Sequence, residues 1–304
     1  MHPSQAVVGS PALGGNLLAL LGTALWASSF PATEHLLRGW DPLLLCFARL
    51  AGAALCLAFL ALATGRGAEL RRAPWRDVLY LGALGVAAPV FLLILGQTRA
   101  DAVTVAVLST MLPLISAVMG WALDGERPRA PVLAGILLAI LGGSLASLAG
   151  SGPAAGPRGG EVLVLASMVL WIWYSRAALR RLAGLGDLAI SGLTMAAGAA
   201  VVGLVGAMAL ASGFAAPRFD PSPSALVVLA WMSMAAIGLS TLLWFTCARL
   251  LGVTVAAIHT NLAPFYVMLI ALAFGGRVVP QQVMGAVLVV VGALLAQIAS
   301  LRRR

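Results

Sequence analysis

The sequence predicts an all-α membrane protein of ten transmembrane helices, arranged as two inverted five-helix repeats around a central cavity. Three observations predict it. The composition is that of a chain dissolved in lipid. Apolar runs of spanning length alternate with short polar breaks. The second half repeats the first after an odd number of spans.

Apolar residues make up 61% of the 304 residues and charged residues only 10%. The mean hydropathy is +1.01. Soluble domains carry about 25% charged residues, so water is a poor solvent for this surface and a bilayer is a good one. The net charge of +9 does not point to nucleic acid. The basic residues are all Arg, scattered over the breaks between apolar runs, with no continuous basic surface. Cys46, Cys56 and Cys247 lie inside apolar runs and form no metal-ligand spacing, and no His/Cys/Asp/Glu cluster or phosphate loop is present. No metal and no cofactor are expected. The first 15 residues contain no Lys or Arg, so the first apolar run reads as a retained helix and not a cleaved signal.

A spanning helix takes about 20 residues. Spans fall near 16–37, 42–64, 75–97, 101–123, 131–150, 160–181, 187–211, 223–247, 252–274 and 280–301. The breaks carry turn and charge signals such as RGWDP, TGRGAELRRAPWRD and APRFDPSPS, and leave no room for a separate soluble domain. With the N-terminus inside, 13 Arg lie on inner loops and span ends and 5 on outer ones. By the positive-inside rule both termini face the cytoplasm, in a bacterial inner membrane.

The halves, 1–151 and 152–304, resemble each other. GGNLLALLGTALW at 14–26 matches GGEVLVLASMVLW at 159–171, which pairs Trp26 with Trp171. AVTVAVLSTMLP at 102–113 matches GVTVAAIHTNLAP at 252–264, with a slip of one residue at the proline. Gly135 and Gly142 recur as Gly285 and Gly292, spaced to put small residues on one helix face for close packing. Five spans per copy force the second copy through the membrane upside down. The Arg distribution agrees, because matching loops exchange Arg-rich and Arg-poor character. Inverted repeats of this kind mark secondary transporters.

Candidate site residues follow from breaks at matching depths. Pro113 and Pro264 fall mid-span and free the carbonyls of Ser109 and Thr260. Polar side chains gather there: Thr110 in one copy, His259 and Asn261 in the other. They face either a wet cavity or another helix. Trp26, Ser29, Trp171, Tyr174 and Trp244 add an aromatic, sparsely polar lining suited to a neutral or zwitterionic molecule with an apolar side chain. Trp40, Trp75, Trp121 and Trp231 fall near span ends and fit ordinary packing or interfacial belts. Arg49 lies several residues inside the second span. It meets a substrate carboxylate, or else pairs with Glu34 or Asp41 or snorkels to the surface. His259 carries a proton or serves as a neutral hydrogen-bonding group.

The motifs WASSFP at Trp26–Pro31, FARL with Arg49, Pro113 inside the fourth span, and GERPRAPVLAG at Gly125–Gly135 together resemble the drug/metabolite transporter superfamily, in its EamA type. The resemblance covers nearly the whole chain. It implies a non-enzymatic exporter of amino acids or related metabolites, similar to the aromatic amino acid exporter branch, working by alternating access. It implies a small-molecule substrate, a lipid bilayer, no nucleic acid, and a monomer or weak dimer. The second copy departs from the family pattern, with Gly276 and Arg277 where the acidic Glu126 would recur. A proton-coupled multidrug efflux pump is the alternative. It wants a buried carboxylate, whereas all ten acids lie at span ends or in loops.

Overall fold

The computed structural model describes residues 10–125, 130–148, 158–213 and 218–301. Residues 1–9, Glu126 with the rest of 126–129, the repeat junction at 151/152 and Arg302–Arg304 lie outside the described residues.

The described chain is helical throughout, without strands. We label the long rods α1 (Ser10–Leu36), α2 (Pro42–Ala63), α3 (Trp75–Gln97), α4 (Ala102–Leu123), α5 (Ala130–Leu148), α6 (Gly160–Arg181), α7 (Asp187–Ala211), α8 (Pro223–Leu251), α9 (Val253–Ala273) and α10 (Pro280–Leu301). Seven of them, α2–α4 and α6–α9, are long and apolar enough to cross a membrane, and shorter apolar stretches occupy Leu133–Leu145 in α5 and Pro280–Gly292 in α10. A one-turn helix, Gly67–Arg71, sits in the break before α3, where the sequence reads only as loop.

Capping explains several of the boundaries. Asp41 caps α2 by accepting from the backbone N–H groups of Leu43 (2.9 Å) and Leu44 (3.3 Å), with Pro42 in the first turn. Asp101 caps α4 through the Thr104 N–H at 3.0 Å. Ser222 caps α8 and is itself held by Asp220. Gly252 adopts φ 86, a left-handed angle that lets α9 start directly after α8 ends.

The rods pack as an inverted pair of bundles. The closest pairings are α5 with α10, α2 with α7, α1 with α8 and α3 with α6. A two-fold axis in the membrane plane maps this set onto itself. Contacts at the helix ends show the inversion. Gly15 near the start of α1 lies against Leu251 at the end of α8. On that same face Asp77 meets Arg181, Asp187 meets Arg249, and Glu69 accepts from the Gly186 N–H. Gly160, which starts α6, sits instead at the opposite face against the Gly96 carbonyl. The first helices of the two halves therefore enter from opposite sides.

The repeated glycines do what their spacing predicts. A Cβ on Gly142 would strike the Gly285 carbonyl and Val289 across the α5–α10 contact. Outward positions carry exposed apolar side chains such as Leu55, Phe59, Leu62, Leu204, Met208 and Val227, a surface for lipid. Trp75, Trp121 and Trp231 are exposed, as belt residues should be. Trp40 is not. It is buried against Phe219, ring centroids 4.6 Å apart, and staples the α1–α2 turn to the segment before α8.

Candidate functional site

Two apolar cores form, one mainly from α2, α3, α7 and α8 and the other mainly from α1, α4, α6 and α9. Trp26, Trp171 and Trp244 pack against both. Where the cores meet lies a partly open cavity.

The walls obey the internal symmetry closely. α1 contributes Gly22, Thr23 and Trp26, and α6 contributes Ser167, Met168 and Trp171 at the matching repeat positions. α3 contributes Pro89, Val90 and Leu93, and α8 contributes Ser240, Thr241 and Trp244. Each set has the spacing i, i+1, i+4, one face of a helix. α2 adds Arg49 and α7 adds Met195, while Leu112 and Thr260 mark the two proline-broken helices α4 and α9.

Local irregularities position these walls. α3 contains a π-helix at Gly82–Ala87 and α8 one at Met232–Leu239. Each lies immediately before its cavity-lining set. A π-turn holds more residues than an α-turn, so it rotates the surface that follows, and such turns concentrate at functional sites. Close approaches hold both in place. Gly82 lies on the Ala197–Gly198 backbone, Gly85 on the Tyr174 ring, and Gly52 of α2 on Ser233. These paired π-helices escape sequence reasoning. The i, i+1, i+4 lining was within reach of the repeat alignment for Gly22, Thr23, Ser167 and Met168.

The aromatic wall is cross-braced. The Trp244 indole N–H donates to Ser175 Oγ at 3.0 Å, and Ser175 donates to the Trp171 carbonyl at 2.8 Å. The Trp171 and Trp244 rings stand 6.2 Å apart at 51°. Tyr174 is fully buried behind Trp171, with its hydroxyl 2.6 Å from that of Thr194 and its ring edge-on to Phe245. It supports the wall from outside the cavity.

Arg49 is only 1% exposed. Neither acid offered as its partner is seen bonded to it among the described residues. Glu34 accepts from the Ala102 N–H at 2.9 Å, and Asp41 caps α2. Nε and Nη1 of Arg49 have no hydrogen-bond partner among the described residues. The ion-pair alternative is thus corrected: Arg49 is buried in the cavity wall and makes no ion pair among the described residues.

The helix breaks lie where the sequence puts them. In α4 the N–H groups of Thr110 and Met111 turn back to the Val107 and Leu108 carbonyls, and Pro113 opens the second half-helix. In α9 a 3-10 turn, His259–Leu262, precedes Pro264. Their hydroxyls mostly satisfy themselves locally. Ser109, Thr110 and Thr260 each bond the carbonyl three residues back at 2.7 Å. Of these three only Thr260 reaches the cavity wall. Ser29, His259 and Asn261 stand outside the lining as well. Ser29 Oγ, His259 Nδ1 and both amide atoms of the buried Asn261 have no hydrogen-bond partner among the described residues. No group of three or more potential metal ligands occurs among the described residues.

Comparison with known proteins agrees with this arrangement. The EamA-like transporter family model matches the chain twice, over residues 13–148 and 158–297. The "Uncharacterized transporter YrdR" of Bacillus subtilis (strain 168) is 23% identical over 298 residues, covering 93% of this chain and 91% of its own. A solved crystal structure superposes with a TM-score of 0.71 at 22% identity, covering 95% of this chain and 98% of that one, which shows the shared fold.

Proposed function

The chain belongs to the EamA-like transporter family, a membrane transporter family, and from that premise we propose that it exports amino acids, those with aromatic or other apolar side chains first. The observation that carries this reading is the tryptophan-walled cavity at the seam of the two cores. Trp26, Trp171 and Trp244 offer flat apolar faces, and Thr23, Ser167, Ser240 and Thr241 offer a few hydroxyls. Such a mostly apolar pocket with sparse polar groups takes a small molecule with an apolar body.

The halves, 1–151 and 152–304, rock about the cavity and expose it to each side in turn. The Arg bias supports a bacterial inner membrane with both termini cytoplasmic. Since one chain encloses the whole cavity, a monomer suffices for transport, and any dimer is weak. The multidrug alternative finds no support here: among the described residues no Asp or Glu lines the cavity to trade a proton for a cation.

Counterflow in proteoliposomes across an amino-acid panel tests the proposal. The purified protein should exchange phenylalanine, tryptophan or leucine faster than aspartate or lysine. Trp171→Ala should slow the aromatic substrates most. His259→Ala, away from the lining, should slow all substrates alike if the break at α9 is part of the moving seam. Absence of counterflow with every amino acid overturns the reading.

A further inference from the structure

The cavity presents one charge. Arg49 lies on its wall, while no Asp or Glu lines it among the described residues. It is 1% exposed, and two of its three guanidinium nitrogens have no partner among the described residues. A buried cation without a counter-ion is costly in a bilayer protein and points to function. Its placement is also fixed. One turn further along α2, Gly52 and Ala53 lie against the π-helix of α8, with Gly52 on Ser233 and the Ala53 backbone by Gly238. Arg49 thus stands on a braced backbone, buried in a wall otherwise made of indoles, aliphatic groups and hydroxyls.

We propose that Arg49 is the anion-binding group of the cavity, and that the transported molecule is a monocarboxylate on an apolar or aromatic body. This rests on the exporter reading above and narrows its substrate class. The planar guanidinium fork matches a carboxylate in geometry and charge. One cation balances one carboxylate, so a dianion such as a phosphate monoester leaves surplus charge. An α-ammonium group gains only hydroxyls and indole faces, so it is tolerated and not required. A carboxyl group is required.

The test uses purified parent protein and two readouts. In proteoliposomes preloaded with phenylalanine, external 3-phenylpropionate, phenylalanine, phenylalaninamide and phenethylamine compete for counterflow. In detergent, the same compounds titrate the intrinsic tryptophan fluorescence that Trp26, Trp171 and Trp244 contribute to. The two acids should compete and bind at least tenfold better than the amide and the amine. Arg49→Gln should remove that preference, and Arg49→Lys should restore part of it. Amide or amine acting as well as the acids in the parent overturns the proposal without any variant. So does an acid preference that survives in Arg49→Gln. Counterflow without acid preference sinks this inference and leaves the exporter reading standing. Acid binding that depends on Arg49, without counterflow of any amino acid, does the reverse.

Discussion

The two halves share a backbone plan and differ in what they present to the cavity. Both place a tryptophan at the same depth, Trp26 on α1 and Trp171 on α6, and both bend their third helix through a π-turn. The first half then offers Arg49, Pro89, Val90 and Leu93, and the second offers Met195, Ser240, Thr241 and Trp244. Charge sits on one side, and most of the hydroxyls with an extra indole sit on the other. An inverted repeat supplies the moving frame by symmetry, whereas a substrate with distinct ends needs an asymmetric lining. The comparison teaches that frame and recognition are separable: glycines and prolines build the first, and a handful of substituted lining positions writes the second.

The largest expected effect bears on the frame. Gly82 and Gly85 lie so close to the Ala197–Gly198 backbone and the Tyr174 ring that even a methyl group must displace a neighbour. Gly82→Ala and Gly85→Ala should each destabilise the protein by about 1–3 kcal/mol through overpacking. Gly238→Ala, in the second half's π-helix, meets the Ser233 carbonyl of its own helix at 3.2 Å and the Ala53 backbone only at 3.5 Å and beyond, and should cost clearly less. Thermal unfolding in detergent checks this. Equal melting shifts at Gly85 and Gly238 break the comparison.

Next in size is recognition. Trp244 and Leu93 occupy matching positions, but only Trp244 is braced through Ser175. Trp244→Ala should weaken competition by phenylalanine or tryptophan about tenfold, the order of a lost stacking contact with its burial. It should affect leucine less. Leu93→Ala should change both by a smaller and similar factor. Equal loss for aromatic and aliphatic substrates in Trp244→Ala would mean that the indole only fills space.

A smaller effect concerns the wall's support. Thr194→Val leaves the buried Tyr174 hydroxyl without its partner and should cost about 1 kcal/mol, read as a lower melting temperature with substrate preference unchanged. The smallest effects belong to the charged face. Asp77 and Arg181 are partly exposed, 33% and 51% by side chain, at 2.9 Å. Asp77→Asn should shift stability by less than about 1 kcal/mol, and less still in high salt.

The sequence reveals the frame well. Hydropathy and break composition place most rod ends within a few residues, although α1 starts earlier and α8 runs to Leu251, beyond the expected 247. Matched Trp, Pro and Gly positions reveal the inversion. The site is less legible, because a linear pattern does not say which face of a fully apolar helix turns inward. Polarity at the breaks misleads for a physical reason: Ser109 and Thr110 satisfy their hydroxyls on their own helix and have no need of the cavity. Asp41 is legible as a helix cap from its position before Pro42, whereas the burial of Arg49 away from any acid has no sequence signal. The π-helices lack any comparable signal, since Gly82–Ala87 reads as an ordinary small-residue stretch.

Substrate protection of a cavity thiol tests the central claim most directly. With Cys46, Cys56 and Cys247 replaced by Ser or Ala, a single Thr23→Cys places a thiol on the cavity wall. A small thiol reagent should label it, and saturating transported amino acid should slow that labelling several-fold without slowing a control cysteine at lipid-facing Leu204. Labelling at position 23 that ignores substrate, under conditions where counterflow proceeds, would place the transport path elsewhere.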